Sequence, residues 1–255
     1  MQAEPVALPS APILKLVRHE LKRRTLTISG TRYLTPHMLR ITLTGEDLAD
    51  FPSLAADDHI KVFVPDGADG IAMRDYTPRS FSRERGELVL DFAIHEAGPA
   101  TRWALTARPG DTLEIGGPRG SRIITGDIAH WLLIGDETAL PAIGRRLEEA
   151  GETDRFTILA AVPGREDEQE FNTAAEVDIT WIHGRIGDAE RDALLMDSLR
   201  QTGIAPGTFI WIAAEGSFTR EIRQYLLEER RHPKAWLKAS GYWVRGEADA
   251  TVKFD

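Results

Sequence analysis

Arg74-Asp75-Tyr76-Thr77-Pro78-Arg79-Ser80 is the stretch from which the rest of the chain can be read. On an extended strand of period two, Arg74 and Tyr76 share a face. An Arg fork can hold a diphosphate bidentately, a Tyr ring can pack on a flat heterocycle, and the Thr77 hydroxyl can hydrogen-bond a ring nitrogen. Together these groups suit a bound flavin dinucleotide, FAD. An ordinary barrel strand carrying a surface Arg and a half-buried Tyr would fit four residues as well, so the choice rests on what flanks them.

Outward from this stretch the pattern is one of short strands. Thr25–Ile28, Met38–Leu43 and His59–Val64 alternate with β-branched residues, and Arg79–Ser82 turns at Arg85-Gly86 and returns as Leu88–Ile94. Gly98–Leu105 reads as a helix with Pro near its start, and Thr112–Ile115 as the last strand of a barrel. After Gly120 the period changes. Trp131–Ile134 is a continuous apolar run, and Leu140, Ile143 and Leu147 recur at helical spacing. Phe156–Val162, Ile179–Ile182 and Phe209–Ala213 are further buried strands, with helices over 189–199 and 217–229, which predicts a parallel sheet. The expected division is a β-barrel over 1–124 and an α/β domain with a C-terminal tail over 125–255.

The 255 residues carry 31 Lys and Arg against 40 Asp and Glu, a net charge of −9, which argues against a general binder of nucleic acid or anionic membrane. Any anion site must be local. Without Cys there are no disulfides, thiolate metal sites, iron–sulfur ligands or Cys nucleophile, so redox chemistry must come from a borrowed cofactor. The Met1–Ile13 segment lacks a basic region followed by an apolar core, and no run approaches the roughly 20 apolar residues of a membrane span. The reading is a soluble, cytoplasmic monomer. The His residues, His19, His37, His59, His95, His130, His183 and His232, show no i, i+4 pair, so no dedicated metal site is expected. Arg165–Glu170 reads as a solvated acidic stretch without chemistry.

A second informative stretch, Asp91-Phe92-Ala93-Ile94-His95 followed by Gly98-Pro99-Ala100-Thr101, delivers a His from a strand and then opens a helix. Free N–H groups at a helix start bind diphosphate, Gly98 and Ala100 permit close approach, Thr101 adds a hydroxyl, and His95 can pack on the nucleotide. The plain alternative is a tight turn with a structural His. Gly135-Asp136-Glu137-Thr138 follows the first strand of the second domain, where open parallel sheets bind ligands. It lacks a G-x-G-x-x-G run, and its two carboxylates would repel a diphosphate, so Thr138 facing the flavin is preferred there. Ser217, after Ala213-Ala214-Glu215-Gly216, reads as a plain helix N-cap. In the tail, Lys238 and Arg245 are candidate cations for an anionic ligand, with Lys61 a weaker third, while Tyr242 and Trp243 could cover the flavin.

In this order, Arg74-Asp75-Tyr76-Thr77, Asp91-Phe92 with His95, Gly98-Pro99-Ala100, Gly117-Pro118-Arg119-Gly120-Ser121, Gly135–Ala142 and Gly241-Tyr242-Trp243 resemble the siderophore-interacting proteins, FAD-dependent ferric-siderophore reductases. The resemblance implies a six-stranded antiparallel flavin-binding barrel followed by a ferredoxin-reductase-like α/β domain, with FAD between them. It also implies electrons from NADH, NADPH or a reduced ferredoxin, and a ferric siderophore as substrate. Ser240 stands where many relatives carry Lys. A flavin reductase with another acceptor, and a flavin-containing siderophore-binding protein without turnover, remain open alternatives.

Overall fold

The computed structural model describes residues 10–68, 70–95 and 98–254. The first nine residues of the N-terminal segment read above, and Glu96-Ala97 of the second stretch, lie outside these. The strand β1 (Ile13–Arg18) stands apart from the strands that follow. These are β2 (Arg23–Thr35), β3 (Met38–Thr44), β4 (Ile60–Asp66), β5 (Gly70–Tyr76), β6 (Pro78–Ser82), β7 (Glu87–Ala93) and, beyond helix α1 (Pro99–Thr106), β8 (Thr112–Gly116).

The strands β2 to β8 form one antiparallel sheet of seven strands in the order β5-β4-β8-β2-β3-β7-β6, where six were expected. The seventh arises at Thr77. Pro78 has no N–H to give to a ladder, and the run from Gly70 to Ser82 breaks there into two strands with different partners. Tyr76 pairs with Ile60 on β4, and Pro78 with Leu90 on β7. The two outer strands of the sheet are therefore neighbours in sequence, and the stretch quoted first is the corner between them. Inside, Leu26, Ile28, Ile41, Leu43, Val62 and Leu90 are buried at alternate positions and make the barrel core.

β9 (Gly120–Thr125) pairs antiparallel with β1 in a separate two-stranded arm. Then come β10 (His130–Gly135), α2 (Leu140–Glu148), β11 (Arg155–Val162), β12 (Glu176–His183), α3 (Ala189–Gln201), β13 (Thr208–Glu215), α4 (Gly216–Gln224), β14 (Leu237–Trp243) and the short β15 (Val252–Lys253). The order β12-β11-β10-β13-β14-β15 is parallel except for β15. Every residue of β13 is buried because both faces are covered, as the continuous apolar runs required. One face packs Ile134, Ile210 and Ile212 on Leu195 and Leu199 of α3 and Ile222 of α4. The other packs Leu133, Phe209 and Trp211 with Ile143 and Leu147 of α2 and with Met38 of the barrel. The cap of α4 is Glu215, whose carboxylate accepts from the N–H groups of Ser217 and Phe218. Ser217, expected as the cap, sits inside the first turn and gives its hydroxyl to the same carboxylate at 2.7 Å.

Polar ties fix the two sheets against each other. Arg145 of α2, buried, reaches Ser53 Oγ at 2.7 Å and the Pro78 carbonyl at 3.1 Å. Arg79 forks onto Glu148, with one bond of 2.7 Å. Asp167, in the acidic stretch given no chemistry, is buried and takes both the backbone N–H of His37 at 3.0 Å and its ring Nδ1 at 2.8 Å. Gly144 on α2 makes room for this seam, since a Cβ there would stand 2.9 Å from the Arg79 guanidinium.

Candidate functional site

A cavity of about 1620 Å³ is walled by both sheets and by the tail. The broken corner contributes Arg74, Tyr76 and Thr77, and β7 contributes Asp91, Ala93 and the following His95. Gly98, Ala100 and Thr101 come from the start of α1, Thr138 from the end of β10, and Tyr242 and Trp243 from the end of β14. Residues far apart in sequence thus meet on one surface, at the carboxyl ends of the parallel strands where ligands of open α/β sheets bind.

The Tyr76 ring lies 4.2 Å from that of Phe92, tilted by 35°, and Phe92 in turn meets Trp103 at 5.7 Å. Phe92 is fully buried, so this candidate supports Tyr76 from behind and does not itself face the cavity. Pro99 opens α1 and is likewise absent from the wall. Burial pushes the Tyr76 phenol well above its ordinary range, with the Arg74 charge opposing, so it stays neutral. Arg74 gives one N–H to the Met73 carbonyl at 2.8 Å and, among the described residues, has no carboxylate partner. At α1 the capping position is Gly98 in extended conformation, with no side chain accepting from the first turn and open space where a Cβ would stand. The first-turn N–H groups therefore lack intrahelical partners on the side where Ala100 and Thr101 enter the wall.

Asp91, expected as a cofactor contact, lines the wall with its carboxylate already engaged by the barrel. Its two oxygens are forked by Arg40 at 2.7 Å each, with the Arg79 guanidinium 3.7 Å away, so its acceptors serve the barrel. Thr77 is buried beside the Tyr242 phenol, which is its hydrogen-bonding neighbour and is itself pushed far up by burial. Thr138 gives both its N–H and its hydroxyl to Asp136 Oδ1, at 2.9 and 2.5 Å. What it can offer the cavity is the remaining acceptor capacity of its oxygen. The other Asp136 oxygen accepts the Trp243 indole N–H at 2.8 Å. Glu137 next to it is buried against Arg191 at 2.8 Å; burial, assisted by the Asp136 charge and opposed by Arg191, pushes its carboxyl up to about 7.

The three cations nominated for a substrate are placed otherwise than expected. Lys238 is buried and paired with Asp57 at 2.5 Å, and the same Asp57 oxygen accepts the Trp211 indole N–H at 3.0 Å. Burial works against the charge on Asp57, but Lys238 and Arg146 outweigh it and hold the carboxyl below its ordinary value. Lys61 bridges Asp249 at 2.6 Å and Asp75 at 3.2 Å, tying the tail to β4. Arg245 lies outside the cavity wall, 3.9 Å from Asp192 of α3. Lys238 and Lys61 are neutralised by partners distant in sequence, which composition alone does not reveal, while Arg245 is mostly exposed and only loosely paired.

The Lys and Arg residues in the wall are Arg18, Arg74, Arg119, Arg122, Lys234, Lys238 and Lys253, and of these Lys238 alone is in a salt bridge among the described residues. Arg18 went unread because strand assignment began at Thr25. The period-two run Leu14-x-Leu16-x-Arg18 was the available signal.

These features fit a flavin dinucleotide. An uncapped helix start and an unpaired Arg fork suit a diphosphate, and a half-exposed, backed Tyr ring suits a flat heterocycle. Two buried wall oxygens without partners, Asp57 Oδ1 and Asp75 Oδ1, can accept from hydroxyl or ring N–H groups.

Comparison with known proteins points the same way. The family model described as siderophore-interacting protein matches residues 128–246, and that described as siderophore-interacting FAD-binding domain matches 27–72 and 65–122. The chain is 32% identical over 249 residues to the NADPH-dependent ferric-chelate reductase of Escherichia coli K12, spanning 89% of this chain and 95% of that protein. It is 30% identical over 245 residues to the ferric vibriobactin reductase ViuB of Vibrio cholerae, spanning 88% and 90%. A siderophore utilization protein from T. fusca superposes with a TM-score of 0.86 at 34% identity, over 93% of this chain and 98% of that one. In fold alone the likeness extends to the ferredoxin reductase of carbazole 1,9a-dioxygenase, with a TM-score of 0.62 at 15% identity, over 85% and 68% of the two chains. With both halves matched by the family's models and relatives aligned along nearly the whole length, the chain belongs to the siderophore-interacting protein family.

Proposed function

We propose that this chain is an FAD-dependent oxidoreductase that draws electrons from NADPH and reduces ferric siderophores, releasing Fe(II). The observation that carries the reading is the convergence of Arg74, Tyr76, the uncapped start of α1, Thr138 and Trp243 on one cavity. In this reading residues 1–124 hold the flavin and residues 125–255 offer the face to which the donor comes. When bound, FAD supplies the exchange between a two-electron hydride donor and the one-electron acceptor Fe(III).

The chain's own part is binding, orientation and exclusion of water. The Arg74 fork and the α1 N–H groups neutralise the diphosphate, with His95 and Thr101 beside it. Tyr76, held from behind by Phe92, gives one apolar face, and Tyr242 and Trp243 close the site from the tail. Asp136 keeps Thr138 and Trp243 in place, and Ala93 leaves space between strand and helix. No side chain has to exchange a proton with the chelate. Fe(II) binds hard oxygen donors far less tightly than Fe(III), so reduction is itself the release step.

A ferredoxin-type donor is the second reading, favoured by the turn Gly135-Asp136-Glu137-Thr138 after β10, which lacks the glycine-rich run that cradles a nucleotide diphosphate. The protein acts as a cytoplasmic monomer in this account; among the described residues no helix is long and apolar enough to cross a membrane.

An anaerobic absorbance experiment tests the whole sequence. The FAD-loaded protein should bleach on addition of NADPH, then regain its oxidised spectrum when a ferric siderophore is added with an Fe(II) trap that colours. Bleaching by chemical reductant alone, followed by trapped Fe(II), would select the ferredoxin-type donor. A protein that binds no flavin would end the proposal.

A further inference from the structure

Beside Thr77 and Tyr242 the cavity wall holds an ion pair whose burial the contacts described so far do not require. Asp57, just before β4, and Lys238 of β14 come from the two different sheets, and their side chains are only 6% and 9% exposed. Both border the cavity. Lys238 Nζ stands 2.5 Å from Asp57 Oδ2, and the Trp211 indole N–H donates to that same oxygen at 3.0 Å. The other oxygen, Oδ1, is buried and has no hydrogen-bond partner among the described residues. Both donors thus stand at Oδ2, so Oδ1 is the oxygen left to a ligand, and the negative end of the pair is turned to it.

The pair keeps its charges in a place where burial alone would remove them. Burial opposes the Asp57 carboxylate, but Lys238 and, from beyond salt-bridge distance, Arg146 outweigh it. The field reaches the residues assigned to the flavin. Tyr242 meets Trp211 edge-on at 6.1 Å, and its phenol is pushed up by burial and then by the Asp57 charge. Charges in such a wall act over several ångströms: two unit charges about 8 Å apart, at an effective dielectric constant of about 20, shift an equilibrium by roughly thirtyfold. Hydride transfer brings two electrons and one proton, so a bound flavin ends with one more negative charge than it began with. A carboxylate in the wall opposes that gain, and a cation favours it.

We propose that the buried Asp57–Lys238 pair sets the reduction potential of the bound FAD, Asp57 lowering it through the Oδ1 side of its carboxylate and Lys238 limiting that effect. A low potential suits a donor to chelated Fe(III), because oxygen chelators that prefer Fe(III) to Fe(II) make the iron harder to reduce. The assignment rests on the flavin-binding part of the proposed function, but its test needs neither NADPH nor a chelate.

The measurement is an anaerobic redox titration of the FAD-loaded protein against a reference dye, read as the ratio of reduced to oxidised flavin at a fixed potential. Asp57→Asn leaves two cations uncompensated and should raise that ratio at least about tenfold, about 30 mV for a two-electron couple. Lys238→Met leaves the carboxylate and should lower the ratio. Where Lys238→Met does not fold, the double variant Asp57→Asn with Lys238→Met supplies the same sign, since removing the cation from the Asn background should bring the ratio down again. Both shifts should persist at about 0.5 M salt, because the pair is buried. A pair that is only structural would loosen the wall in either variant and move the ratio one way or not at all. The proposal is overturned if the lysine and aspartate substitutions shift the ratio in the same direction, if Asp57→Asn stays within about twofold of wild type or loses FAD, or if the shifts vanish at the higher salt. Unmoved ratios in a protein that still reduces ferric siderophores would leave the proposed function intact. If the shifts appear as expected but the reduced protein yields no Fe(II) from a ferric siderophore, the tuning pair stands and the reductase reading falls.

Discussion

The indole N–H of Trp243 donates to Asp136 at 2.8 Å, and through that one buried carboxylate the tail is joined to the loop that carries Thr138. Both ends of the joint lie in the cavity wall. Asp136 looked, in sequence, like an obstacle to a diphosphate; in the fold its charge is spent on three donors of the protein itself. It is a positioning group for the site and touches no ligand in this account.

Asp136→Ala should therefore strand the Trp243 indole and the Thr138 N–H and hydroxyl, each unmet buried donor costing about 1–3 kcal/mol less whatever water recovers. A loss of several degrees in Tm is expected, with partial rescue in Asp136→Asn, which keeps one acceptor. Because a merely structural loss would not depend on the indole, the decisive measurement is a double-mutant cycle with Trp243→Phe. Coupling of about 0.5–3 kcal/mol is expected, and strict additivity would reject the joint.

Arg74→Ala should purify with little FAD but with the unfolding midpoint of the flavin-free wild type, whereas Tyr76→Ala should lose FAD and, with its packing on Phe92 removed, part of that midpoint as well. Asp91→Ala should behave in the opposite way to Arg74→Ala. It leaves the Arg40 guanidinium facing a buried site without its carboxylate, a loss of about 3–5 kcal/mol. Urea unfolding of flavin-stripped proteins separates the two classes. A stable Asp91→Ala protein with weakened flavin binding would return Asp91 to the cofactor contacts.

The legible part of this chain was what depends on local pattern. Alternation in Met38–Leu43 and the continuous run Trp131–Ile134 specify strands because burial on one face or two leaves a period of two or none. The Arg74–Thr77 corner and the start of α1 were readable because their chemistry is concentrated in a few residues. What could not be read is pairing. Lys238 and Asp57 meet only after the β10–β14 sheet docks on the barrel, and nothing near Lys238 in sequence announces an acid. The seventh strand was hidden for a related reason, since the break at Thr77 shows itself in the change of partner from β4 to β7. The arm was missed because β1 has no core of its own to impose a buried pattern.

Lys238→Ala tests that lesson. As a substrate cation it would raise the KM for anionic chelates and weaken its salt dependence. Buried against Asp57, it should instead destabilise the protein by about 3–5 kcal/mol, because Asp57 is left charged with the Trp211 indole and the more distant Arg146 for company. Lys238→Met paired with Asp57→Leu should restore much of that loss. Arg245→Ala, mostly exposed and only loosely paired, should change stability by less than about 1 kcal/mol. Denaturant midpoints and chelate KM values across a salt series decide the matter.

Glu137 provides a signature in pH. Its carboxyl sits at about 7 in the folded chain against an ordinary 4.5, because burial and Asp136 outweigh Arg191. Between those values the folded protein holds a proton that the unfolded chain has released, so stability falls as pH rises from about 4.5 to 7 and levels off above. The full shift corresponds to a contribution on the order of 3 kcal/mol. Glu137→Gln cannot ionise and lacks this slope. The stability of wild type minus that of the variant, from urea midpoints at a series of pH values across this window, should therefore decrease as pH rises. A difference that grows with pH would mean that the Arg191 guanidinium, and not burial, sets the charge of this carboxyl.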